Sequence, residues 1–347
     1  MPPSSVHFNG SVNLPDTETV LREITSRVPR GVRRLPDGET GDRRGWIGYQ
    51  LPRILATPGL ERVEPDATHA DVYGGNRPTA RLAPGTDPAA VRWPDLGYAQ
   101  AYLESYAVLQ RLRADGVVPP AVRLQAQYPT PFAVSGFFHP RDKELLLPSY
   151  EAALLADLDR LLAAVPHDEL AVQWDVAVEI GFLERAPQMF DDVVAALGRH
   201  LDHLPRDVPV GVHLCYGDAG HRHFMEPSSL ATQVRLTNAL AEGTARAPSW
   251  VSFTVPQNRA DEDYFAPLAE LRTGHATELY FALVPYHPDA QPPGTITTQV
   301  RMVDTHLPGS AGPWGVCTEC GMGRAERSDV PRLLDLHREI LDAFATS

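Results

Sequence analysis

Residues 149–175 read SYEAALLADLDRLLAAVPHDELAVQWD, a helix and a strand joined by a short polar turn. Over Ser149–Ala164 the apolar residues recur every three to four positions, the period of an amphipathic helix. Pro166 and the charged residues after it break that period. The apolar run that follows is too short for a helix and ends on Asp175, which reads as a buried strand over Leu170–Asp175.

Outward from this unit the same alternation recurs in both directions. Candidate strands are Val6–Val12, Gly31–Leu35, Val122–Gln127, Leu170–Asp175, Val208–Leu214, Trp250–Val255, Glu278–Val284 and Gly312–Cys317. Candidate helices are Thr17–Arg27, Tyr98–Ala114, Ser149–Ala164, Ala186–Leu204, Pro227–Glu242, Asp261–Leu271, Thr297–His306 and Asp329–Ala345. The last carries the same clear period, in VPRLLDLHREILDAFA. Strand and helix alternating eight times predicts an α/β protein, a single (β/α)8 TIM barrel spanning residues 1–347. The Pro- and Gly-dense region from Gly74 to Pro94 reads as a long loop excursion after the second strand. The rival is a doubly wound open sheet, but GSVNL after the first strand has one glycine where a dinucleotide-binding turn needs three.

Barrel enzymes gather their chemistry at the C-terminal ends of the strands. Here those ends bear Asn9 to Ser11, Asp37 and Glu39, Gln127 and Tyr128, Gln173 and Asp175, and His213 and Cys215. The later strands add Gln257 to Arg259, Tyr286 and His287, and Glu319 and Cys320.

The formal charge of −13 sets the chain against nucleic acid, whose phosphates need a basic surface. Arg30, Arg33, Arg34, Arg43 and Arg44 cluster, yet Asp37, Glu39 and Asp42 interrupt them and make a mixed-charge loop. No apolar run is long enough to span a bilayer, and the N-terminus carries no secretory pattern, so a cytoplasmic protein without a membrane partner is expected. Three cysteines in this length do not form a disulfide framework; beside a histidine they read as metal ligands or reactive thiols.

VGVHLCYGD (210–218) and VCTECGMGR (316–324) carry the sharpest pattern. His213 and Cys215 stand two apart on a strand, so both side chains face one way. Cys320 follows a strand that the barrel order brings to the same rim. Imidazole and thiolate suit Zn2+, and three protein ligands with a fourth position open is the pattern of a catalytic site. A thiol bound there loses its proton yet stays nucleophilic. The bland alternative is three unrelated core residues.

HLCYGD, the distant ECGMGR, QWD ahead of AVE (177–179) and the early Gly10-Ser11 together resemble the cobalamin-independent methionine synthase family, specifically its C-terminal catalytic barrel. The resemblance runs in order over most of the chain. It implies that His213, Cys215 and Cys320 hold zinc, that Gln173 and Asp175 hold the amino group of a thiol amino acid, and that Gly10 and Ser11 contact the same substrate. Glu39, in PDGETGDR, takes the place of the family's acid near the second strand. Two departures stand out. Pro256, in FTVPQNRADED, occupies the place of the family's fourth ligand, a Glu, so that three protein ligands remain or Glu319, Asp218 or water substitutes. The continuation after Asp175 is Val176-Ala177, which with the absence of the family's extra N-terminal barrel points to a sister reaction rather than methionine synthesis itself.

Other candidates complete the picture. GDAGHRHFMEP offers His221 and His223 as general acids. His221, His223 and Glu226 could be mistaken for a second metal site, but read better as a substrate-contacting or solvated loop. Cys317 forms a C-x-x-C with Cys320 but fits the core better, as do Trp46, Tyr49 and Trp174. The expected activity is zinc-dependent methyl or alkyl transfer involving a small thiol. Asp175, Glu39, Gln173, Gln127 and Tyr286 line the substrate, and a methyl-folate is the donor the resemblance suggests. The rival readings are a zinc lyase or hydrolase, and a non-catalytic binding protein on a decayed barrel. Oligomeric state is not written in the sequence.

Overall fold

A computed structural model describes residues 2–65, 77–217 and 223–345. Ten strands are present among them: β1 (Ser5–Val6), β2 (Arg34–Pro36), β3 (Leu60–Val63), β4 (Thr79–Leu82), β5 (Arg123–Pro129), β6 (Leu170–Val176), β7 (Val210–Leu214), β8 (Trp250–Phe253), β9 (Glu278–Phe281) and β10 (Trp314–Val316). Eight of them form one parallel sheet in the order β1-β10-β9-β8-β7-β6-β5-β2. A parallel bridge between Val6 and Val32, with Val6 N–H donating to the Gly31 carbonyl at 2.9 Å, brings the first edge against the last and curls the sheet into a barrel. The expected (β/α)8 architecture is therefore the one observed.

The ladder order fixes which side chains meet inside. Asp175 pairs with His213, and His213 with Ser252, so three adjacent strands carry polar groups at one level. Alternation sends Trp174 outward, where its ring stacks on His200 with centroids 4.8 Å apart. Every residue of β6 and β7 is buried, because helices cover the outside and side chains fill the inside. Trp250 lies over β7 at Gly211, where even a Cβ would stand 2.0 Å from its ring. Lower in the barrel the Arg34 guanidinium sits 4.0 Å from the Trp250 ring centroid and pairs with Glu278.

The helices follow from local chemistry. The first, Thr17–Arg27, begins where Asp16 accepts the Thr19 N–H at 2.8 Å, and buries Val20, Leu21 and Ile24. The last, Val330–Phe344, buries Leu333, Leu334, His337, Ile340 and Leu341, one continuous face.

Several boundaries differ from the sequence reading. The helix expected at Ser149 starts at Lys143 and carries Pro148 inside, because the proline forgoes one hydrogen bond while Leu146 and Tyr150 still bury. The helix expected over Ala186–Leu204 runs Phe190–His203, preceded by a turn at Pro187 and by a separate helix, Glu179–Arg185, that the sequence reading did not include. The excursion after β2 contains an antiparallel hairpin, β3 with β4, that alternation alone did not reveal.

His337 is wholly buried, with its ring 4.9 Å from Phe8 and its Nδ1 2.7 Å from the Leu333 carbonyl. Burial pushes its pKa down to about 4 from 6.5. The native state thus refuses a proton that the unfolded chain accepts. The stability this contributes is full above about pH 6.5 and is lost as pH falls toward 4, at about 1.4 kcal/mol per pH unit. Denaturant melts across that window should show His337→Leu with a shallower acid slope than the wild type; an unchanged slope would contradict this.

Candidate active site

β7 and the segment after it supply His213 and Cys215, and the loop after β10 supplies Cys320. One ligand atom of each lies within 4.8 Å of the others. Ligands about 2.0–2.3 Å from a shared tetrahedral ion stand roughly 3.5 Å apart, so small side-chain adjustments bring this trio to coordination.

The imidazole is oriented from behind. Its Nδ1 is 3.0 Å from Ser252 Oγ, and that hydroxyl donates its one proton to Asn9 Oδ1 at 2.8 Å. Asn9 in turn donates from Nδ2 to the Thr318 carbonyl at 2.7 Å. Ser252 must then accept from His213 Nδ1–H, which leaves the Nε2 lone pair as the ligand, the tautomer a metal needs. Gly217 N–H donates to Cys215 Sγ at 3.3 Å. Cys320 is held by Tyr286, whose hydroxyl lies 2.6 and 2.8 Å from the carbonyls of Cys320 and Gly321 and accepts the Cys320 N–H at 3.1 Å.

Beside this trio is a pair of buried acids. Asp175 accepts at Oδ1 from the Gln173 amide at 2.9 Å and at Oδ2 from the Trp46 indole at 3.1 Å. Burial raises its pKa to about 6, against the opposing effect of His213. Glu39 accepts from the Ser11 hydroxyl. Burial, and then the nearby Asp175 carboxylate, raise its pKa to about 7. Gln173 is locked by four further contacts: its amide donates to the Asn9 carbonyl at 2.9 Å, and its Oε1 meets His7 at 2.8 Å, Trp250 at 3.4 Å and the Gln125 amide at 3.5 Å. The loop carrying Glu39 is pinned by Asp37, which takes the Glu39 N–H at 3.0 Å, the Ser105 hydroxyl at 2.8 Å, and Arg43.

Gly10 has φ 136, and a Cβ there would sit 3.2 Å from Gln127 Cγ, so glycine is what lets the segment after β1 approach Gln127. Gln127 takes the Tyr102 hydroxyl at 3.0 Å on its Oε1. A third polar group lies on the other flank. His223 contacts Glu319 through Nε2 and Glu226 through Nδ1 at 3.0 Å. Burial opposes its charge, yet the two carboxylates hold its pKa up to about 9.

The structure brings together His213, Cys215, Cys320, Gln173, Asp175, Glu39 and Ser11 as the sequence suggests. It also sets Tyr286 against the Cys320 backbone, which it braces. Cys317 is wholly buried and its thiol pKa is pushed up by burial, in keeping with a core residue. His221 and Asp218 lie outside the described residues. Glu319 is engaged by His223 and by Gln257 N–H at 2.9 Å, and among the described residues the metal-capable group comprises only the trio. Sequence reasoning missed Ser252, whose sole signal is its position on the strand after His213, and passed Trp46 to the core.

The close approach of the last loop to the first gives a test. A Cβ on Gly321 would stand 2.7 Å from Ser11 N and 2.9 Å from Ser11 O. Gly321→Ala should cost about 1–3 kcal/mol in denaturant unfolding, by forcing the two loops apart; an unchanged midpoint would contradict the packing.

No protein-family model matches the chain. No curated protein matches it either. Among solved structures it is similar to a B12-independent methionine synthase from a Shewanella species in complex with selenomethionine. That likeness has a TM-score of 0.64 and 14% identity, covering 100% of this chain and 99% of the other. It is also similar to a methyltransferase from Methanosarcina mazei, with a TM-score of 0.51 and 13% identity, covering 98% and 94%. At these identities the likeness establishes the fold: the chain shares, over its whole length, the barrel on which a B12-independent methionine synthase is built.

Proposed function

We propose that this chain is a single catalytic barrel that transfers a methyl or other alkyl group to a small thiol bearing an ammonium group, with zinc as cofactor. The observation that carries the proposal is the convergence of His213, Cys215 and Cys320 one strand away from the buried carboxylate of Asp175. The donor set fits the metal: two sulfurs, and an imidazole whose tautomer the Ser252–Asn9 chain already sets. The neighbours named above, one a methionine synthase and one a methyltransferase, support the same reaction class.

Zinc held by these three residues supplies one thing, a thiol deprotonated near neutral pH without loss of nucleophilicity. The protein does the rest. Asp175 and Glu39, with pKa values raised to about 6 and 7, are short of counter-charge, and an ammonium on the substrate provides it. Ser11 holds Glu39 and Gln173 holds Asp175, each by a donated hydrogen bond. Gly10 gives the substrate backbone access beside Gln127, whose Nε2 has no partner among the described residues. His223, which keeps its proton up to about 9, stands as the proton donor to the leaving group, with His221 a second candidate.

The test is mass detection of S-alkylated product from zinc-loaded protein, offered aminothiols and a panel of methyl donors that includes a methyl-folate. Cys215→Ser and Cys320→Ser should each lower turnover by at least about 10²-fold, as loss of a catalytic ligand does. Asp175→Asn should raise KM for the aminothiol with kcat little changed. Aminothiol affinity in the wild type should fall as pH drops through 7 to 6, where the acids take up protons. Turnover that needs no alkyl acceptor would replace this reading with a lyase or hydrolase.

A further inference from the structure

Two non-glycine residues among those described have left-handed backbone, Glu39 at φ 48 and Trp46 at φ 54. Both belong to the acid pair: Glu39 is one of its carboxylates, and Trp46 donates its indole N–H to the other, Asp175 Oδ2, at 3.1 Å. Bulky side chains avoid this backbone region, and such residues persist where the surroundings over-determine them, most often at functional sites. Simple core packing does not require it of Trp46, which is only half-buried.

The two donors on Asp175 differ in their freedom. Gln173 is wholly buried and tied to Asn9, His7 and Trp250. Trp46 sits in the loop GDRRGWIGY (41–49), between Gly45 and Gly48, where an added Cβ would meet nothing within 4 Å. The loop is fixed on one side by Arg43 on Asp37 and on the other by Ile47, 2% exposed. Trp46 lies between these anchors on a loop, whereas Gln173, the other donor on Asp175, lies on β6.

We propose that Trp46 is a specificity-determining residue of the amino subsite. Its indole N–H holds the position on Asp175 Oδ2 that a substrate ammonium takes, so an aminothiol displaces the indole and a thiol without an amine leaves it in place. This rests on the reading that the site binds an ammonium-bearing thiol. A charged donor outcompetes a neutral one at a buried carboxylate, and the left-handed backbone at Trp46 relaxes when the indole leaves. The loop thereby distinguishes thiols that bring a positive charge from those that do not.

Isothermal titration of the zinc-loaded chain with 2-aminoethanethiol and with 2-mercaptoethanol tests this, since the second carries a neutral hydroxyl where the first carries an ammonium. Trp46→Phe keeps an aromatic ring at that place but removes the N–H. It should tighten 2-aminoethanethiol by about tenfold, the worth of one competing hydrogen bond to a charged group, and leave 2-mercaptoethanol unchanged. Tryptophan emission of the wild type should shift with 2-aminoethanethiol but not with 2-mercaptoethanol, and Trp46→Phe should lose that shift. Trp46→Gly, which removes the backbone strain as well, should favour 2-aminoethanethiol in the same direction. Equal changes for both thiols, or weakening of both, would make Trp46 a packing residue and overturn the inference alone. Failure of the wild type to bind either thiol would overturn the aminothiol reading itself, and this inference with it.

Discussion

The Ser252 hydroxyl has one proton to give, and it gives it to Asn9. That single commitment obliges Ser252 to accept from His213, fixes the imidazole tautomer, and turns Nε2 toward the two cysteines. The same chain continues from Asn9 to the Thr318 carbonyl, two residues before Cys320. Four parts of the barrel that are remote in sequence, the segment after β1, β7, β8 and the loop after β10, are therefore set by one run of hydrogen bonds. The trio converges because this run is buried and complete, and a buried polar network with a partner missing would cost more than no network at all.

A second constraint is electrostatic. Asp175 and Glu39 are both buried, the Asp175 carboxylate makes Glu39 harder to ionise, and the barrel accepts that cost beside the trio. Arg43, whose charge partly offsets the effect on Glu39, is paired with Asp37. The pair is thus left poised for a positive charge from outside, and the Trp46 indole occupies part of that place meanwhile. On the opposite flank His223 is surrounded by carboxylates and keeps its proton. Two buried acids and a held proton beside the trio give the site a direction.

Much of this was legible before the fold was known. Alternating periods located all eight barrel strands, because a strand buried on both faces has no other way to read than a short apolar run. The i, i+2 spacing placed His213 and Cys215 on one side of one strand. Cys320 needed the barrel order, which periodicity supplied indirectly. Ser252 was not legible: a serine inside an apolar strand has no periodicity of its own, and its role depends on ladder register with His213. Tyr286 was legible as a polar strand end but not as a brace, since its partners are backbone atoms of a loop 34 residues on. Trp46 was hidden for a different reason, because left-handed backbone at a tryptophan has no signature in sequence. Pro256 was legible as the place of the family's fourth ligand, and among the described residues the metal-capable group comprises the trio.

The most direct measurement of the central claim is zinc K-edge X-ray absorption on the purified chain, paired with elemental stoichiometry. The account requires about one zinc per chain with two sulfurs near 2.3 Å, one imidazole nitrogen near 2.0 Å, and a light atom that a thiol replaces with a third sulfur on addition. Protein that neither retains nor takes up zinc, or a first shell that does not change with thiol, would contradict it.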